Sequence, residues 1–146
     1  MATVETILKT KGREVFSVTP STTILEALKL MADKGVGALM VMEKDEILGI
    51  FSERDYARRG VLLGNTEKTT VDKVMTKKVF SVSLEQSVDA CMAQMRDQHF
   101  RHLPVLKNGK IIGVISINDV AKTLLNDKET LIKGLESFLV GQDFKR

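Results

Sequence analysis

The chain has 146 residues, 43% of them hydrophobic and 28% charged, with 22 Lys and Arg against 19 Asp and Glu and a single cysteine. Such a balance describes a soluble globular protein of one ordinary domain or two small subdomains, and it excludes a disulfide scaffold, a thiolate metal cluster and a disordered chain. The net charge of +3 comes from interleaved acids and bases, which argues against a duplex-binding face, and 5% aromatic content without Trp argues against a stacking platform for single strands.

The opening MATVETILKTKG lacks the apolar core of a secretory signal, and the longest apolar run, Ala38 to Met42, is far too short for a bilayer. The expectation is an intracellular, soluble protein, cytoplasmic or organellar, without a membrane partner. A short strand is predicted at VFSV, residues 15–18. Thr23 and Glu26 then form a capping-box pattern, Ile24, Ala27, Leu28 and Met31 recur at helical spacing, and Gly35 ends that helix. ALMVM, KDE and ILGIF read as two strands about a tight turn, followed by a helix from Glu53 to about Arg59. Residues 61–77 read as a polar connector. The order then returns: VFSV at Val79, a cap at Ser87, a helical face of Val88, Cys91, Met92 and Met95, a hairpin around Asn108-Gly109, and a helix from Ile117 to about Leu125. Last, Leu131, Ile132, Leu135, Phe138 and Leu139 share one helical face.

This return is an internal repeat, which fixes the architecture before any single motif is weighed. Residues 15–57 lie on 79–121 without a gap, pairing Met31 with Met95, Asp33 with Asp97, Leu39 with Leu103, Val41 with Val105 and Gly49 with Gly113. TVETIL at Thr3 resembles TVDKVM at Thr70 once a three-residue insertion around Lys11 to Arg13 is allowed. The chain therefore divides into a first repeat (3–60), a connector (61–69), a second repeat (70–125) and a C-terminal amphipathic helix and tail (126–146). Each repeat predicts strand, helix, strand, strand, helix, and buries too little alone to be robust, so the two copies are expected to pack together. The apolar surface left on the helices predicts a homodimer.

GIFSERD, residues 49–55, returns as GVISIND, residues 113–119. Locally, S-x-x-D is a helix N-cap with an acid in the first turn, and the glycine marks close packing of a strand. Both copies also sit where a strand ends and a helix begins, a place where backbone donors and a Ser hydroxyl can meet an anion. The carboxylate of Asp55 or Asp119 is wrong for phosphate but suits two vicinal hydroxyls, so donors and acid together suggest a ribonucleotide. Ile50, Phe51, Val114 and Ile115 would border an apolar slot for its base.

G-h-h-S-x-x-D closing such a unit, in tandem and with RHLPVL ahead of the second hairpin, resembles the CBS (cystathionine-β-synthase) domain in its paired form, the Bateman module, over residues 3 to 125. SERDY and RHLPV resemble small stand-alone members of that family. The resemblance implies an α/β fold of two β-α-β-β-α repeats packed through their sheets with pseudo-two-fold symmetry. It also implies a non-catalytic regulatory module that takes AMP, ATP, NAD or S-adenosylmethionine in a cleft and passes the ligand state to a regulated partner. By that resemblance the ribose acids are Asp55 and Asp119 and the hydroxyls Ser52 and Ser116, while the backbone near Val15 and Val79 meets adenine. Arg101 and His102, ahead of Leu103 and Pro104, stand where the family neutralises phosphate, and the first repeat has Gly37 and Ala38 there. Arg54 and Arg58 are the first repeat's own candidates; Asn118 occupies the position of Arg54.

Other chemistry is less well supplied. His99 and His102 lack a coordination set in the sequence around them, and no nucleophile is readable beside His102. Cys91 falls on an apolar helical face, as do most methionines. A nucleotide-processing enzyme would need a carboxylate cluster or a Walker-type loop, neither of which is present, and an RNA- or DNA-binding accessory rests on the net charge alone.

Overall fold

Hydroxyl side chains set the helix starts over residues 1–141, which the computed structural model describes. Thr23 Oγ1 accepts from the Glu26 amide at 3.2 Å while the Glu26 carboxylate accepts from the Thr23 amide at 3.1 Å, opening α2 (Ile24–Lys34). α1 (Val4–Lys11) begins behind Thr3, and Ser87 caps α4 (Val88–Gln98) through the Ala90 amide at 3.1 Å. α2 ends on Gly35 with φ 65, a left-handed residue whose N–H returns to the Met31 carbonyl. At the matching end of α4 stands His99, φ 61.

The chain forms two compact bodies: Glu14–Ser81 with Lys107–Ile112, and Met1–Arg13 with Val82–Leu106 and the residues from Gly113 onward. In the first body, β1 (Ser17–Val18), β2 (Ala38–Glu43) and β3 (Glu46–Ser52) form a sheet in that order, β1 parallel to β2 and β2 antiparallel to β3. Lys44 and Asp45, both at positive φ, make the tight turn between β2 and β3. The buried stripe of α2 (Ile24, Ala27, Met31) packs on Leu39, Val41 and Phe51, and Val71, Val74 and Met75 complete this core. The expected polar connector is therefore anchored: Val71–Lys73 is a 3₁₀ turn, Val71 N–H bonds the Thr22 carbonyl at 2.8 Å, and Thr76 exchanges backbone bonds of 2.8 and 2.9 Å with Ile50. After β3 the chain makes one α-helical turn, α3 (Glu53–Asp55). It then widens into a π-helix, Tyr56–Val61, rather than the regular helix expected to Arg59. Gly60 allows this, since a Cβ there would stand 3.0 Å from the Tyr56 ring.

The second body contains α1, α4, β4 (His102–Lys107) as far as Leu106, β5 (Lys110–Ser116) from Gly113, and α5 (Ile117–Gly141). Its core gathers Val4, Ile7 and Leu8 from α1, Val88, Cys91 and Met95 from α4, and Leu103, Val105, Ile115 and Val120. Here the second VFSV departs from expectation, for among the described residues it forms no named strand but an isolated parallel bridge from Val82 to Val105, beside a sheet of β4 and β5. The cause is Pro104. In the first repeat the Met40 amide bonds the Phe16 carbonyl at 3.2 Å; Pro104 occupies the equivalent place and has no N–H to donate. Helix α5 also corrects the expected break near Leu125, because no Gly or Pro interrupts residues 117–133 and the helix runs on for 25 residues. On it Leu125, Ile132 and Leu135 are exposed; the side chains of Leu131, Phe138 and Leu139, and the tail 142–146, lie outside the described residues. Among the described residues no helix is long and apolar enough to cross a membrane.

The segments ahead of the two repeats are exchanged. Thr3 bridges Ser87, with Val4 N–H on the Gln86 carbonyl at 2.9 Å, whereas Thr70 bridges Thr23. Each TV segment thus serves the other copy's opening helix.

Candidate functional site

Both S-x-x-D copies fold as capping boxes at a strand-to-helix corner. At the first, the Ser52 amide and hydroxyl donate to Asp55 Oδ2 at 2.9 and 3.1 Å, and the Asp55 amide donates to Ser52 Oγ at 3.2 Å. Thr76 Oγ1 donates to the other oxygen, Oδ1, at 2.9 Å. Asp55 is 8% exposed, a buried carboxylate satisfied on both oxygens from within its own body.

At the second corner the Ser116 amide donates to Asp119 Oδ2 at 2.8 Å and the Asp119 amide to Ser116 Oγ at 3.2 Å. Here the third partner is a cation: Lys11 Nζ lies 2.6 Å from Asp119 Oδ2 and 2.8 Å from the Val114 carbonyl. Among the described residues nothing donates to Asp119 Oδ1, although the side chain keeps 21% of its surface exposed. Burial works to raise the Asp119 pKa, but the bond from Lys11 and the Ser116 amide outweigh it and hold the carboxyl below its ordinary value. The Arg101 carbonyl accepts from the Ile117 amide at 2.8 Å, as Gly37 does from Glu53 at 3.1 Å, so an exposed Arg stands beside the start of α5 where the first corner has glycine. His102 follows it. Burial pushes its pKa down to about 4, assisted by Lys11 and Arg101 and opposed by Asp119, so the ring is neutral at pH 7.

Both motif glycines serve close packing. A Cβ on Gly49 would lie 2.7 Å from Met75 Sδ and from the Thr76 carbonyl, and one on Gly113 would lie 2.9 Å from Leu8. Phe51 and Ile115 are fully buried, Phe51 within the α2 core, which corrects their reading as borders of an open slot. Ile50 is buried with its backbone bonded to Thr76, and Val114 is half-buried. The first body holds Val15, Ile50, Ser52, Arg54, Asp55, Arg58 and Val79; the second holds Arg101, His102, Leu103, Pro104, Val114, Ser116, Asn118 and Asp119. Val15, Val79 and Arg54 are half-buried, Arg58 and Asn118 are exposed, and Leu103 and Pro104 are buried within β4. Two residues that the motifs did not mark as partners touch the acids, Thr76 and Lys11. The signal for Lys11 was the insertion itself, which lengthens α1 until its last turn reaches Asp119.

The family model for the CBS domain matches residues 4–61 and again 71–126, one match for each corner. The chain belongs to the CBS domain family. Over 149 aligned residues it is 32% identical to the mitochondrial CBS domain-containing protein CBSX3 of Arabidopsis thaliana, covering 95% of this chain and 72% of that protein. The structure of a CBS-domain protein from Burkholderia ambifaria is 48% identical, with a TM-score of 0.83 over 86% of this chain and 96% of that one. A likeness in fold alone, at 19% identity and a TM-score of 0.76, extends to the CBS domain pair of MJ0100 over 87% of this chain and 98% of that one. The MJ0100 pair was solved in complex with 5′-methylthioadenosine and S-adenosyl-L-methionine. CBS-pair proteins are generally regulatory modules that bind adenosine ligands, and both CBS repeats here keep the Ser and the Asp of the shared corner.

Proposed function

We propose that this CBS pair is a non-catalytic sensor that binds an adenosyl ligand of the class AMP, ATP, NAD or S-adenosylmethionine at its strand-to-helix corners and passes the ligand state to a partner protein. The observation that carries this reading is Asp119 Oδ1, an ionised carboxylate oxygen with an open acceptor position at the start of a helix and next to a Ser hydroxyl. A ribose diol supplies two donors for such a carboxylate, and the helix start supplies donors for an anion. The ligands of MJ0100 support the adenosyl class. At the first corner a ribose hydroxyl has to share Asp55 Oδ1 with Thr76, so the second corner is the stronger half-site. Catalysis through Cys91 is disfavoured, since burial pushes its thiol up to about 11. Self-association as a homodimer is supported by exposed Leu125, Ile132 and Leu135 on α5.

Signalling follows if the ligand prefers one arrangement of the chain, which it stabilises by its differential affinity. A melting-temperature panel of AMP, ATP, NAD and S-adenosylmethionine tests the binding, because a ligand that binds only the folded state raises the transition. At a ligand concentration about 100 times Kd, the stabilisation is about 2.7 kcal/mol. Asp119→Ala should abolish the rise while leaving a folded protein, and Asp55→Ala should weaken it less. Absence of any rise across the panel rejects the reading.

A further inference from the structure

We infer that Lys11 is the charge selector of the Asp119 corner, so that the site takes a phosphorylated adenosine, such as AMP, in preference to neutral adenosine or a cationic sulfonium nucleoside. The inference rests on the reading of that corner as an adenosyl-ligand site and names the ligand's charge class.

Lys11 reaches the corner only because α1 is longer than its counterpart in the other half. Leu8 packs on Gly113 as Met75 packs on Gly49, so Leu8 and Met75 are equivalent positions. Beyond Met75 the chain turns at once into backbone pairing of Thr76 with Ile50; beyond Leu8 the helix continues to Lys11. The extra turn replaces a neutral hydroxyl on the acid by an ammonium group on the acid. Lys11 Nζ has three donors and uses two, on Asp119 Oδ2 and the Val114 carbonyl, which leaves one N–H unassigned among the described residues at a side chain that stays 37% exposed.

The charges around it do not cancel. Asp119 supplies one negative charge; Lys11 and Arg101 supply two positive ones, His102 is neutral at pH 7, and the first turn of α5 adds the positive end of its dipole. A dianionic phosphate gains attraction from this set, an uncharged 5′ group gains none, and a sulfonium is repelled. At the first corner the side chain bonded to the second carboxylate oxygen, Thr76, is uncharged.

A purely structural Lys11, tying the end of α1 to β5 and α5, predicts something different: its loss would weaken every ligand by the same factor. The affinities of AMP, adenosine and S-adenosylmethionine are therefore compared by titration calorimetry in the full chain for wild type, Lys11→Met, Lys11→Arg and Asp119→Ala. In wild type AMP should bind about tenfold or more tighter than adenosine, the size of one charge-assisted hydrogen bond. Lys11→Met should bring that ratio to within about twofold, and Lys11→Arg, which keeps the charge, should restore most of it. An AMP-to-adenosine ratio unchanged in Lys11→Met, or wild type preferring S-adenosylmethionine to AMP, overturns the inference and leaves the adenosyl reading intact. If none of the three ligands binds wild type, both fall together. Where Lys11→Met does not fold, a wild type that binds adenosine or S-adenosylmethionine as tightly as AMP still overturns the inference.

Discussion

His102 is kept uncharged by its surroundings, and that has a consequence for acid stability. In the unfolded chain it titrates near 6.5 and in the folded one near 4, with Lys11, Arg101 and Asp119 as the charged groups around it. Between those values the unfolded state binds the extra proton, so stability rises with pH through this window and is lost as pH falls through it. The shift corresponds to on the order of 3 kcal/mol as an upper bound for a partly exposed ring. Asp119 acts with the same sign at lower pH: its folded pKa lies below 3.8, so its share is present above that value and is lost as pH falls through the depressed one. His102→Asn should therefore flatten the dependence of unfolding free energy on pH between about 6.5 and 4 and leave the decline below 3.8 in place. Urea titrations at a series of pH values measure this. Parallel curves for wild type and variant would show that the ring is not held neutral.

The two helix ends built on left-handed residues put the repeat to a comparison at the level of the element. Gly35 and His99 have nearly the same backbone, φ 65 ψ 37 and φ 61 ψ 34, and each returns its N–H to a methionine carbonyl. Glycine adopts that conformation without strain and a side chain does not, at about 1 kcal/mol. Gly35→Ala should thus destabilise by about 1 kcal/mol and His99→Gly should stabilise by up to a similar amount, read as opposite shifts of the urea midpoint at constant slope. Helix caps and tight turns were legible in the sequence because their signal is local: Thr23 with Glu26, Gly35, and the hairpin Asn108-Gly109 each carry their own geometry. The two Ser–Asp corners were legible for the same reason. What remained hidden depends on partners remote in the chain. Identical VFSV segments make a strand in one half and a single bridge in the other because Pro104 withholds a donor from the second. Lys11 meets Asp119 from 108 positions away, a pairing that no spacing within either repeat encodes.

At the scale of the molecule, the exchange of the TV segments means that neither sequence repeat contains all of its own core. The second body buries Val4, Ile7 and Leu8 from the start of the chain, and the first buries Val71, Val74 and Met75 from beyond the connector. Three buried aliphatic residues are worth about 2 kcal/mol each, on the order of 6 kcal/mol, which is comparable to the whole stability of a small domain. A chain cut after Gly64, on the exposed connector, therefore yields two fragments that each lack an indispensable segment. Fragments 1–64 and 65–146 should each fail to show a cooperative thermal transition alone, and on mixing should recover one together with a 1:1 complex by size-exclusion chromatography. The recovery should depend on the exchanged side chains, so Ile7→Asp in the first fragment should block it. If fragment 65–146 alone melts cooperatively near the temperature of the intact chain, α1 is dispensable to the second body. Lys11 would then sit on a helix free to leave Asp119, and the corner's positive charge would be conditional on the docking of α1 instead of fixed by the fold.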